Sequence, residues 1–191
     1  GGPPVENVAI DREGERSLLL LAAFSAVVGI IMSWWCLRNW TLTAIVFTTA
    51  LFSAGISMAV VFYSGSVMNC ILLTMPSLVF VAAASGAIHM ANYYRDTVRQ
   101  AGVEGAPGRA VRSAWLPLAL ATGTTAVGLA SLSISELVPI KLFGIYSAIG
   151  VVVSFFVLCT YMPALLELWP LRRIAEARRH SSFPDPGLSP R

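Results

Sequence analysis

Residues 142–168 read LFGIYSAIGVVVSFFVLCTYMPALLEL, and this stretch decides the fold class. It is apolar or small almost throughout, and its only charged residue, Glu167, stands in its final turn. A helix of about 20 mostly apolar residues is long enough to span the hydrocarbon core of a bilayer. The stretch therefore predicts a transmembrane helix rather than an element of a soluble core.

The composition of the whole chain agrees with this prediction. Hydrophobic residues make up 56% of the 191 residues and charged residues 12%, whereas soluble domains carry about 25% charged residues. A soluble fold of this size could not hide so much apolar surface. Apolar runs predict five spanning helices and an all-α polytopic transmembrane helix bundle, with helices at residues 17–37, 40–63, 69–94, 115–133 and 142–168.

The segments outside the five spans predict the organisation of the chain. Residues 1–16 are polar and are expected to end an external, periplasmic region, while residues 169–191 are expected to form a basic, partly disordered cytoplasmic tail. Short connections make successive helices antiparallel neighbours, and the longer connection 95–114 is predicted to be a mobile loop.

The basic residues predict the orientation of the bundle. Ten of the 13 lysines and arginines fall on one side of the predicted membrane, and positively charged loops stay in the cytoplasm. We therefore expect the N-terminus outside, the C-terminus in the cytoplasm, and a location in the inner membrane of a bacterial cell. Five crossings, being an odd number, also place the two ends of the chain on opposite sides of the membrane.

No pattern in the sequence predicts catalysis. The chain contains no HExxH motif, no glycine-rich phosphate loop and no nucleophile elbow, and no pair of carboxylates lies within the spans. The three cysteines lack metal-ligand spacing. We expect a protein that is not an enzyme and that uses no metal or cofactor. Its basic residues are explained by topology, so nucleic-acid binding is not expected.

Small residues in the spans are predicted to form helix contacts. Helices in lipid associate through small side chains that let backbones approach closely. The candidates for helix packing, or for lining a path between helices, are Gly29, Gly128, Gly144 and Gly150. Thr122, Thr124 and Thr125 could line a polar path as well, although hydroxyls in lipid usually bond to their own helix, which favours packing.

The third predicted helix is the most unusual. Pro76 removes a backbone hydrogen bond and is expected to bend the helix, and the small residues 82–87 follow it. His89 comes next, and an ionisable residue within a membrane helix is a functional candidate. Close to the membrane surface, however, a neutral imidazole could simply bind water or a carbonyl.

Three passages of the chain resemble one family. They are Asp11-Arg12-Glu13-Gly14-Glu15-Arg16 before the first span, Ala87-Ile88-His89-Met90 with Tyr93-Tyr94-Arg95-Asp96, and 124–128 continuing through Pro139-Ile140 and Phe143-Gly144. The pattern is similar to the resistance–nodulation–division (RND) superfamily, and within it to the MMPL-type transporters related to sterol-sensing-domain proteins. The resemblance implies that the five spans are helices two to six of one RND half.

At one position the sequence departs from the family pattern. The fourth family helix usually carries an Asp two residues before the Ala-Ile-His run, and here that position is Ser85, followed by Gly86. A serine cannot carry the charge of a proton relay at neutral pH. The second half of the parent protein could carry the titratable groups, this branch could be uncoupled, or coupling could pass through His89.

The resemblance implies the membrane half of an exporter of lipids or other hydrophobic molecules, proton-driven in the full protein. Two alternatives stay open. One is a non-transporting, sterol-sensing-like module that binds lipid or regulates a partner; the other is a SecD/SecF-like translocation subunit. The implied partners are membrane lipids and the rest of the parent transporter, namely its first helix, external domain and second half. The bundle could also form a homo-oligomer.

Overall fold

The computed structural model of the chain describes residues 20, 23–65 and 71–169. Within these ranges it contains helices and no strand, so the predicted all-α helix bundle is confirmed. The helices are α1 (Ala23–Leu37), α2 (Trp40–Tyr63), α3 (Met75–Ala101), α4 (Ala106–Ala130) and α5 (Val138–Leu168). Short 3-10 turns occupy Leu72–Thr74 and Ser131–Ile134.

Four of these helices, α2 to α5, are long and apolar enough to cross a membrane. The described part of the first predicted span, Ala23–Leu37, is apolar but shorter. The rest of that span, and the predicted segments 1–16 and 170–191, lie outside the described residues. The chain is thus a multi-pass membrane protein.

The connection between α3 and α4 differs from the predicted mobile loop 95–114. α3 continues to Ala101 and α4 begins at Ala106, which leaves a short turn in which Gly102 and Gly105 take φ values of 81° and 64°. Hydropathy marks only the part of a helix that lies in lipid, whereas the helical hydrogen bonds continue beyond it. The two extensions persist because they share a buried core of Tyr94, Val98, Ala106, Ala110 and Ala114.

Pro76 also differs from expectation. It lies in the first turn of α3, just after the 3-10 turn, where no helical partner exists for the missing N–H. The prolines within helices are instead Pro117 of α4 and Pro163 of α5.

α3 and α5 form the centre of the bundle. They pack against each other, and each of them also packs against α2 and α4, which therefore lie on opposite sides of the pair. α1 lies along α3: Gly29 is close to the Phe80 ring, and Arg95 donates a hydrogen bond to the carbonyl oxygen of Cys36 at 3.4 Å. A cation at the last turn of α1 also complements the helix dipole.

The two ends of the bundle carry different charges. We call the end where α2 and α4 begin and α3 and α5 end the basic end, and the opposite end the far end. Among the described residues, the far end has a single basic side chain, Lys141. The basic end carries Arg38, Arg95, Arg99, Arg109 and Arg112.

Two glycines of α5 mark close helix contacts. A Cβ on Gly144 would lie 2.7 Å from the carbonyl oxygen of Leu129, and a Cβ on Gly150 would lie 2.8 Å from Met75 Cε. Gly128 differs from both, since a Cβ there would meet nothing within 4 Å in the described part of the chain.

We expect Gly144→Ala to destabilise the bundle by about 1–3 kcal/mol, because its methyl group would collide with a backbone carbonyl that cannot rotate away. Thermal unfolding of the purified protein, followed by circular dichroism, measures the change. Gly128→Ala is the matched control, and its melting temperature should stay the same or rise, since alanine favours helix. Equal melting temperatures for wild type and Gly144→Ala would contradict the close contact.

Candidate functional site

A pocket with a mixed polar and apolar lining lies between α3, α4 and α5, within the membrane-spanning part of the bundle. Its volume is about 210 Å³. We call it the central pocket. Polar side chains from all three helices line it together with apolar ones; the polar members are Ser85, His89, Thr122, Thr125 and Ser154.

α3 supplies one wall of the central pocket. Ser85 and His89 are four residues apart and so lie on the same face of the helix, with His89 about 6 Å nearer the basic end. Gly86 lies beside them, and a Cβ there would come within 3.1 Å of Leu158 Cδ2. The absence of a side chain at Gly86 therefore leaves room for the pocket and for the packing of Leu158.

The hydroxyl groups of the central pocket differ in what they bond. Thr125 Oγ1 donates to the carbonyl oxygen of Ala121 at 2.9 Å, and Ser154 Oγ donates to that of Val151 at 2.7 Å. The hydroxyls of Ser85 and Thr122 have no hydrogen-bond partner among the described residues, so both are available to water or a ligand. A cavity of this size holds several water molecules.

The charge chemistry of the central pocket rests on one residue. Among its described lining residues His89 is the only titratable side chain, and there is no carboxylate. The described lining therefore lacks the ionised acid that would bind a cation strongly.

The structure brings some of the predicted site residues together and separates others. Ser85, Gly86, His89, Thr122 and Thr125 share the central pocket. Thr124 and Gly128 are exposed on the outside of α4, and Thr124 Oγ1 donates to the carbonyl oxygen of Ala121. Gly144 and Gly150 lie at helix contacts and are not among the pocket's lining residues, and Gly29 lines a different groove.

That second groove, the α1–α3 groove, opens on the outside of the bundle. Its volume is about 450 Å³ and its lining is almost entirely apolar, with Phe24, Gly29 and Phe80 among its residues. Ser85 lines both this groove and the central pocket. The small, exposed side chain of Ser85 thus lies between the apolar groove and the central pocket.

A column of buried hydroxyls on α2 was not predicted. Thr49, Ser53 and Ser57 are fully buried, and each donates to the carbonyl oxygen four residues earlier. Ser57 Oγ also lies 3.4 Å from the carbonyl oxygen of Gly150 on α5. The signal in the sequence was the four-residue spacing of these hydroxyl residues within an apolar run.

Comparison with known proteins identifies the family to which this helix bundle is similar. The sequence profile of the MMPL family matches residues 1–183. A membrane protein of Streptomyces coelicolor is 27% identical over 177 residues, and the match covers 84% of this chain and 24% of that protein. The chain therefore spans about a quarter of the length of this relative.

We expect water to enter the central pocket and not the outer surface of α4. In the protein with its cysteines replaced, Thr122→Cys should react about tenfold faster with a water-soluble thiol reagent than Thr124→Cys, because the reactive thiolate forms only in contact with water. Mass spectrometry of the labelled protein measures both rates. Equal labelling rates at the two positions would show either that water does not enter the pocket or that α4 is rotated about its axis relative to this structure.

Proposed function

The chain belongs to the MMPL family, as the resemblance of its helices predicted, and on that premise we propose that it forms a membrane half of a transporter that exports lipids or other hydrophobic molecules. The proposal concerns a longer protein, since the related Streptomyces protein is about four times the length of the matched region. The remaining helices and an external domain would complete the transport path.

The observation that carries this proposal is the central pocket. Hydroxyls and a histidine in the lining of a membrane cavity are costly unless they serve a polar species. Structural helices in lipid are stabilised by filling such space with apolar side chains. The pocket instead combines the unbonded hydroxyls of Ser85 and Thr122 with His89.

We further propose that protons drive export and that His89 is the group in this half that responds to them. It lies one helical turn from Ser85, the position at which the family pattern has an acid. Protonation of His89 would put a charge into a cavity with no carboxylate to balance it. Water, or groups from the rest of the parent protein, would have to stabilise that charge, and this requirement would link the proton to a rearrangement of α3 against α4 and α5.

The charge distribution supports an orientation for the transporter. The basic end would lie in the cytoplasm and the far end outside, in the inner membrane of a bacterial cell. In this orientation α1, α3 and α5 run inwards, and α2 and α4 run outwards.

The test measures export by the full-length protein in reconstituted vesicles, with a fluorescent lipid as cargo and an imposed proton gradient. We expect His89→Ala to reduce gradient-driven export by about tenfold. His180→Ala, which changes the other histidine of the chain, should have no effect. If the rate of export by the wild type did not depend on the proton gradient, proton coupling would be refuted. If gradient-driven export were undiminished in His89→Ala, His89 would have no part in the mechanism.

The α1–α3 groove favours a second candidate, a sterol-sensing-like module that binds lipid without transporting it. The groove is apolar, about 450 Å³ in volume and open to the lipid side, which suits a hydrophobic ligand. Saturable lipid binding that Gly29→Leu abolishes, in a full-length protein without measurable export, would support this candidate over the exporter.

A further inference from the structure

A third groove lies between α2 and α5 at the basic end, away from the central pocket and the α1–α3 groove. Its volume is about 490 Å³. Ile45 is buried at its floor, and Ala44 and Thr48 keep it open because their side chains are small. We call it the α2–α5 groove; the remaining lining residues are Trp40, Thr41, Tyr161, Leu165 and Trp169.

The α2–α5 groove has a polar, aromatic rim and an apolar interior. Trp40 begins α2 and Trp169 follows the end of α5, and they are 71% and 64% exposed. Tryptophans at this level place an N–H donor at the membrane surface and an apolar ring below it. Thr48 lies about 12 Å deeper along α2, where Tyr161 stacks on Phe52 with ring centroids 4.8 Å apart.

One described basic side chain lies next to the rim in the sequence. Arg38 is exposed and precedes Trp40 by two residues, so the two Cα atoms are at most about 7.6 Å apart. Glu167 is the one carboxylate near the rim among the described residues.

We propose that the α2–α5 groove binds one anionic phospholipid from the leaflet at the basic end. An acyl chain lies against Ala44, Ile45 and Leu165. The phosphate lies at the rim, where Arg38 supplies charge and the indole N–H groups supply donors. The floor of the groove is closed because α2 and α5 are in contact beneath it. Charge at the rim and apolar walls below match the two parts of such a lipid and do not match a free phosphate or a neutral oil.

The matched comparison within the molecule is the groove between α4 and α5. It has about 370 Å³ and is lined only by aliphatic residues, Ala126 and Ala148 among them, with no aromatic or charged side chain. Lipid chains can cover this surface, but nothing there selects a head group. It therefore serves as the control for the proposal.

The experiment uses the full-length protein in vesicles that contain either phosphatidylglycerol or phosphatidylcholine with a photoreactive acyl chain. Mass spectrometry maps the adducts. We expect phosphatidylglycerol to label the residues around Ala44 and Leu165 about fivefold more than phosphatidylcholine at the same mole fraction, as one nearby arginine suffices to produce. Ala44→Leu with Thr48→Leu should abolish these adducts, while Ala126→Leu with Ala148→Leu should leave them unchanged.

A variant that removes the charge of Arg38 without filling the groove tests the head-group preference separately. Arg38 has a φ of 45°, a conformation that asparagine tolerates, so Arg38→Asn should fold. It should bring the labelling ratio of the two lipids close to one, whereas Arg38→Lys should preserve the preference. Equal labelling by both lipids in the wild type would overturn the proposal. So would a photoreactive residue at position 44 that cross-links to another part of the protein instead of lipid.

Discussion

The hydrocarbon core of a membrane offers no hydrogen-bond partner to a peptide group, and the structure depends on this constraint. α2 to α5 keep their N–H and C=O groups within their own helices. Several of their hydroxyls follow the same rule, because Thr49, Ser53, Thr125 and Ser154 all donate to carbonyls of the helix that carries them. Polar groups that are bonded in this way contribute little to contacts between helices, so the helices associate mainly through the shape of their packing surfaces.

Shape accounts for both the contacts and the spaces of the bundle. At Gly150 the side chains of Met75 and Val79 move into the room that a missing Cβ leaves, and α3 meets α5 closely. At Gly86 and Ser85, the neighbouring side chains do not fill the room, and the central pocket results. Small residues therefore close the interface in one place and open it in another, depending on what lies opposite.

Much of the fold could be predicted because lipid imposes a simple pattern on a sequence. Apolar runs gave the helix class and order, and the three passages similar to RND proteins gave the family. The ends of α3 and α4 could not be predicted, since the residues that hold them together, such as Tyr94 and Ala110, pack across two helices. Hydropathy does not report such pairing.

The candidate site was predictable in part for the same reason. Ser85, Gly86 and His89 followed from the Ala-Ile-His run on α3. Ser154 and Leu158 could not be assigned to the pocket, because α5 is apolar all round and its pattern does not indicate which face meets α3. Spacing alone also could not distinguish Gly144, which is at a contact, from Gly128, which is not.

The short turn between α3 and α4 has a mechanical consequence. From Tyr94 to Ala101, α3 extends about 10 Å at about 1.5 Å per residue, and the paired start of α4 stiffens this projection through the buried residues they share. Such a projection acts as a lever. A small tilt of α3 within the bilayer displaces the end of this projection in proportion to its length. The four arginines of the projection, Arg95, Arg99, Arg109 and Arg112, then move with it along the membrane surface.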